Sequence, residues 1–92
     1  MNEEHGRPEI QVTYLNTNEE VKFHAEWGWN LQQVWDAAYT ELEETKKQGD
    51  LFKSASGTDL TPYLNKTVRE VFDAKIVHPL RFEIRSATGG AR

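Results

Sequence analysis

The sequence contains no cysteine, which excludes a disulfide-stapled scaffold, a Cys-ligated zinc module and an enzyme that works through its own thiolate. It has no apolar run near the ~20 residues of a membrane span, and its N-terminus lacks the apolar core of a signal peptide. Lys and Arg total 11 against 15 for Asp and Glu, so the formal net charge is −4. Nucleic acid and anionic membrane surfaces are therefore disfavoured as partners. The 92 residues suit a single domain, which we expect to be cytoplasmic.

Alternation of apolar and polar residues predicts strands in two parts of the chain. Residues 9–26 alternate on both sides of an Asn-rich turn cluster at 16–18, which predicts a β-hairpin. A third alternation, at Leu80, Phe82 and Ile84, predicts a final strand. Because its alternation is too strong for an edge strand, we expect it beside the first strand, in parallel, in the middle of the sheet.

The helical signals lie between these strands. Asn30 is a favoured N-cap with Gln33 three residues on, which predicts a capping box and a helix of about four turns that stops at Gly49. Thr67 is expected to cap a single helical turn, and residues 51–52 to form a brief strand. The expected inward residues are Ile10, Val12, Tyr14, Val21, Phe23, Leu31, Val34, Trp35, Ala38, Leu42, Leu51, Leu64, Val71, Leu80, Phe82 and Ile84.

This order of elements predicts an α+β roll, in which one long helix packs across a mixed sheet of four to five strands. We expect residues 1–8 to be a flexible lead-in, residues 9–85 to be the domain, and residues 86–92 to be a flexible tail. The polar character of both ends and the absence of large apolar residues in the tail are the basis for these boundaries.

The chain resembles the ubiquitin-like β-grasp family over residues 9–90. The resemblance rests on the order of elements, on the segment Leu60–Phe72 with its Tyr-Leu-Asn-Lys-Thr-Val run at 63–68, and on a final strand that leads to Gly89-Gly90. The chain is most similar to small bacterial ubiquitin-like modifiers related to the multiubiquitin group. Such proteins are encoded beside an activating enzyme, a conjugating enzyme and a JAB-type metallopeptidase, in systems associated with phage defence.

The resemblance implies that the reactive group is a carboxylate and that the chain itself is not an enzyme and holds no cofactor. A partner enzyme would use ATP to adenylate the Gly90 carboxylate, form a thioester and pass the chain to amines of target proteins. Glycines at 89 and 90 suit this because, without a Cβ, they let the tail lie extended in a narrow channel. Since Gly90 is followed by Ala91 and Arg92, a peptidase would first have to cleave between Gly90 and Ala91.

The resemblance also suggests which other residues meet partners. Arg85 and Arg81 precede the tail where the family places basic residues that dock on the activating enzyme, and Thr88 belongs to the gripped tail. Trp27 and Trp29 are either buried against the start of the helix or partly exposed as interface aromatics. The outer face of the sheet is expected to lack an obvious hydrophobic recognition patch.

Two alternatives share the fold but not the chemistry. The first is a sulfur carrier, whose terminal glycine becomes a thiocarboxylate, although such carriers normally end at the diglycine. The second is an adaptor domain that binds a partner through its sheet or its tryptophans and is never conjugated. No metal site is expected, because His5, His24 and His78 have no nearby acid at metal-ligand spacing.

Overall fold

Four strands form one mixed sheet in the computed structural model, which describes residues 7–86. The strands are β1 (Glu9–Tyr14), β2 (Glu19–His24), β3 (Leu51–Ser54) and β4 (Arg81–Arg85). Their order across the sheet is β2-β1-β4-β3, in which β1 and β4 are parallel and the two outer pairs are antiparallel. The predicted α+β architecture, the hairpin and the central, parallel placement of the final strand are confirmed.

Both α-helices begin directly after the predicted N-cap residues, and each start forms a capping box. In α1 (Leu31–Leu42) the Asn30 side chain accepts from the Gln33 amide at 2.8 Å, and the Gln33 side chain accepts from the Asn30 amide at 3.0 Å. In α2 (Val68–Asp73) Thr67 and Glu70 form the same reciprocal pair, at 3.1 and 2.8 Å. The bond from the Thr67 amide is the main reason that the pKa of the Glu70 carboxyl lies below its usual value.

The predicted end of α1 at Gly49 is wrong. The helix ends at Leu42, and Glu43 turns out of it with a left-handed φ of 59°. Two features of the segment explain the earlier stop. Leu42 is the last apolar residue of the buried face, and the acidic side chains at 41, 43 and 44 oppose the negative end of the helix dipole.

The two helix starts lie against each other. The Leu31 amide donates to the Lys66 carbonyl at 3.0 Å, and the Val68 amide donates to the Trp29 carbonyl at 2.8 Å. Each bond satisfies a first-turn amide that has no partner inside its own helix. The pair therefore fixes where α1 crosses the sheet relative to the segment that leads into α2.

A column of aromatic rings joins α1 to the sheet. The Phe52 ring stacks between Trp35 of α1, at 5.6 Å between centroids, and Phe82 of β4, at 5.0 Å. The Lys46 ammonium caps the column 3.9 Å from the Trp35 ring. The buried apolar residues are Ile10, Val12, Tyr14, Ala25, Leu31, Val34, Trp35, Ala38, Tyr39, Leu42, Phe52, Leu60, Val68, Val71, Val77, Leu80, Phe82 and Ile84.

Three residues predicted to point inward are less buried than the residues of this core. Val21, Phe23 and Leu64 are only partly buried, although each packs against the core cluster. The first two lie on β2, which is an edge strand of the sheet. A fourth, Leu51, is exposed, and its position is described below.

A buried polar pair holds the segment after α1 onto the helix. The Tyr39 hydroxyl donates to Asp50 Oδ2 at 2.6 Å and accepts from the Trp35 ring N–H at 3.1 Å. The Lys47 amide also donates to Asp50 Oδ2, at 3.1 Å. Burial, followed by the bond to Asp50, raises the pKa of the Tyr39 hydroxyl well above its usual value. The sequence pattern did not predict this pair.

We expect Tyr39→Phe to lower the free energy of unfolding by about 1–3 kcal/mol, because the buried Asp50 carboxylate loses a donor. Tyr14→Phe is the matched control: Tyr14 is also buried, but its hydroxyl has no hydrogen-bond partner within residues 7–86, so its loss should be nearly neutral. Urea denaturation of both variants measures the difference. Equal losses in the two variants would contradict a role for the Tyr39–Asp50 bond.

Candidate functional site

The end of β4 lies between two exposed leucines. Arg85, the last residue of β4, pairs with Leu51 at the start of β3. On the other side the Leu15 amide donates to the Ile84 carbonyl at 3.0 Å, which continues the parallel register and places Leu15 beside Arg85. Leu15 is 40% exposed and Leu51 is 37% exposed, and no other large apolar side chain of residues 7–86 is exposed. We call Leu15, Leu51 and Arg85 the tail-proximal surface.

The prediction that Leu51 points into the core is wrong, and its neighbour explains why. Successive residues of a strand point to opposite faces of the sheet. The Phe52 side chain is buried in the aromatic column, so Leu51 must lie on the outer face. Leu51 therefore lies on the outer face with Leu15, contrary to the prediction for Leu51.

The rest of the outer face carries charge in rows across the strands. Gln11 pairs with Lys22 on one side and with Arg81 on the other, so this row is cationic. The next row contains Glu20, Thr13, Glu83 and Lys53. Arg81 and Arg85 share this face but lie at opposite ends of β4, about 13 Å apart along the strand. Of these two arginines, Arg85 alone belongs to the tail-proximal surface.

The predicted tail residues lie outside the described part of the chain. Thr88, Gly89, Gly90 and Ala91 all follow Ser86, the last residue that the structure describes. Their predicted roles in activation and processing stay predictions. The structure shows that the chain leads toward these residues from the end of the central strand β4.

Trp27 and Trp29 lie elsewhere, beyond the other end of the sheet. They follow β2, whose last residue pairs with Glu9 at the start of β1. Both are half-buried and pack against the core cluster. The Trp27 ring lies 5.5 Å from the Phe72 ring, and the Arg69 guanidinium lies 4.7 Å from the Trp27 centroid. The structure therefore does not bring the tryptophans to the tail-proximal surface.

The tail-proximal surface is suited to binding. It combines two apolar side chains with one guanidinium, and it contains no nucleophile or acid–base pair. Within residues 7–86 there is no group of three His, Asp or Glu side chains that could hold a metal ion. No helix in that part of the chain is long and apolar enough to cross a membrane.

Comparisons with known proteins add no identification. The sequence matches no protein-family model, and no curated protein matches it. The interpretation of the site therefore depends on the residues and geometry of this chain and on the resemblance described above.

Two neighbouring substitutions on β3 test whether Leu51 points outward and Phe52 points into the core. Leu51→Thr should lower the free energy of unfolding by about 1 kcal/mol or less, because the side chain is already partly in water. Phe52→Ala should lower it by about 3–5 kcal/mol, because it removes the central ring of the aromatic column. Chemical denaturation measures both, and the reverse order would contradict the outward orientation of Leu51.

Proposed function

We propose that this chain is a bacterial ubiquitin-like protein modifier with a β-grasp fold. A peptidase cleaves it after Gly90, and the new carboxylate is activated and joined to amines of target proteins. The observation that carries the proposal is the position of β4. This central strand ends between two exposed leucines and is followed, after Ser86, by three residues that lead to Gly90.

The fold supports this proposal through its topology. A hairpin is followed by a helix that packs across the sheet, and the last strand returns in parallel beside the first. A β-grasp roll has the same order of elements and the same central pair. Because unrelated functions share small folds, the topology alone does not select conjugation, and the diglycine must be considered with it.

The chemistry requires no side chain of this protein. The Gly90 carboxylate attacks the α-phosphate of ATP on the activating enzyme, forming an acyl adenylate and releasing pyrophosphate. A cysteine thiolate of that enzyme displaces AMP and forms a thioester, which is transferred to a cysteine of the conjugating enzyme. A target amine then attacks the carbonyl, loses a proton and releases the thiolate as the isopeptide bond forms. The absence of cysteine in this chain agrees with a scheme in which every thiolate belongs to a partner.

The tail-proximal surface is the proposed docking site for the activating enzyme. That enzyme must hold the tail extended while it contacts the body of the modifier at the point where the tail begins. Leu15 and Leu51 offer apolar contact there, and the Arg85 guanidinium between them offers a charge for a carboxylate of the partner. A JAB-type metallopeptidase is the proposed processing enzyme, in a cytoplasmic system that acts in phage defence.

A thioester assay tests the requirement for processing. The full chain and a chain that ends at Gly90 are incubated with ATP and the activating enzyme encoded in the same genome, and adducts that thiol reagents release are measured on gels. The chain that ends at Gly90 should form the thioester, and the full chain should not. A Gly90→Val variant of the shorter chain is the control and should react slowly, since its Cβ crowds the channel. Failure of the shorter chain would contradict the modifier proposal, and equal reaction of both chains would contradict the processing step.

Charge reversal at Arg85 tests the docking role. Arg85→Glu should slow thioester formation about tenfold at limiting modifier, because a charge-assisted contact with the enzyme is lost. Lys22→Glu makes the same charge change on the same outer face, away from the tail-proximal surface, and should leave the rate nearly unchanged. Thermal unfolding of both variants confirms that the fold persists. Equal rates for Arg85→Glu and the native chain would remove Arg85 from the docking site.

A further inference from the structure

An open depression of about 260 Å³ lies at the start of β4, at the opposite end of this strand from the tail-proximal surface. It is separate from the features on which the proposed function depends. Two short segments form its walls: the loop that follows β3 and the turn that precedes β4. Its lining residues are Ser54, Ala55, Ser56, His78, Pro79 and Arg81.

The loop after β3 presents a chain of hydroxyl groups to the depression. The Thr58 amide donates to Ser54 Oγ at 3.0 Å, and Ser54 Oγ lies 2.8 Å from Ser56 Oγ. When Ser54 donates in the second bond, the hydroxyl proton of Ser56 remains available to an external acceptor. The Gly57 amide donates to the Ser54 carbonyl at 2.9 Å, which closes the turn that contains Ser56. In that direction, with Ser54 donating to Ser56, the bonds form a relay of donors that ends at the exposed Ser56.

The opposite wall supplies nitrogen donors. Arg81 is exposed, and its carbonyl accepts from the Ala55 amide at 2.9 Å, so the two walls are tied together. The His78 ring is stacked on the Phe72 ring at 4.5 Å between centroids, which limits the orientations of its ring nitrogens. These contacts tie the backbones of the two walls together and restrict the His78 ring without an added ligand.

The residues that line the depression include a cation and no acid, although the chain as a whole is acidic. None of the six lining residues is acidic, whereas the chain carries a formal net charge of −4. Lys22 lies in the same row of the sheet as Arg81 and adds a second cation to this end of the outer face. The nearest acid along β4 is Glu83, which lies in the next row opposite Lys53.

We propose that this depression binds a phosphate-class oxyanion, either the free anion or a phosphate monoester group. The guanidinium of Arg81 matches two oxygens of a tetrahedral phosphate, while the Ser56 hydroxyl and the His78 imidazole provide donors to its remaining oxygens. Backbone carbonyls and carboxylates would repel such a group, and no carboxylate lines the depression. The site belongs to the folded body of the protein and does not require the tail.

Amide chemical shifts of the full chain, labelled with ¹⁵N, measure binding during titration with sodium phosphate at neutral pH and constant ionic strength. Saturable shifts should be centred on residues 54–58 and 78–81. Arg81→Gln should weaken binding about tenfold, and Ser56→Ala should weaken it by a smaller factor. Arg85→Gln is the matched control, since it removes the same charge from the same strand and face but lies outside the depression, and its affinity should equal that of the native chain.

A parallel titration with O-phosphoserine distinguishes the source of the group. Tighter binding of O-phosphoserine assigns the site to a phosphate monoester, and equal binding assigns it to the free anion. Shifts that do not saturate, the same shifts with sodium chloride, or equal weakening by Arg81→Gln and Arg85→Gln would overturn the proposal. Retention of the native spectrum outside the depression shows that each variant is folded, so every result bears on the site.

Discussion

The parallel pairing of β1 with β4 is the contact on which the rest of the structure depends. It joins the two ends of the domain, with Val12 opposite Phe82 and Tyr14 opposite Ile84, and all four side chains are buried. Every other strand attaches to this pair, because β2 extends the sheet from β1 and β3 extends it from β4. The chain therefore leaves the sheet from a central strand, whose last residue lies between β3 and Leu15, the residue that follows β1.

The packing of the core also determines the outer surface. Phe52 fills the space between α1 and β4, and the alternation of the strand then turns Leu51 outward beside Arg85. The paired helix starts tie the first turn of α1 to the segment before α2, and the bond between Tyr39 and Asp50 ties its last turn to the residue before β3. The aromatic column thus accounts for both the contact of α1 with the sheet and the exposed position of Leu51.

Most of the fold was predictable from local signals in the sequence, whereas the contacts between distant segments were not. Asn30 and Thr67 each carry a capping box within four residues, and β4 alternates clearly, so both helix starts and the final strand were predicted correctly. Leu51 was placed wrongly because Leu51 and Phe52 are adjacent apolar residues, and the sequence pattern does not show which of the two faces the core. The end of α1 at Glu43 was not predicted because Gly49, further along the chain, is the usual signal for a helix end. The burial of Asp50 was not predicted because it depends on a tyrosine eleven residues away. The diglycine is read directly from the sequence, its predicted role comes from the resemblance, and it lies outside the described residues.

The central claim, that this chain is joined to other proteins through Gly90, predicts a specific chemical trace. Trypsin cleaves after Arg85, so a conjugated chain leaves the remnant Ser-Ala-Thr-Gly-Gly, residues 86–90, on each modified amine. The most direct measurement is mass spectrometry of tryptic peptides from the cells that encode the protein, with its neighbouring genes intact. The account predicts lysines of other proteins that carry this remnant. Recovery of the unbranched peptide that spans residues 86–92, with no remnant on any lysine, would contradict it.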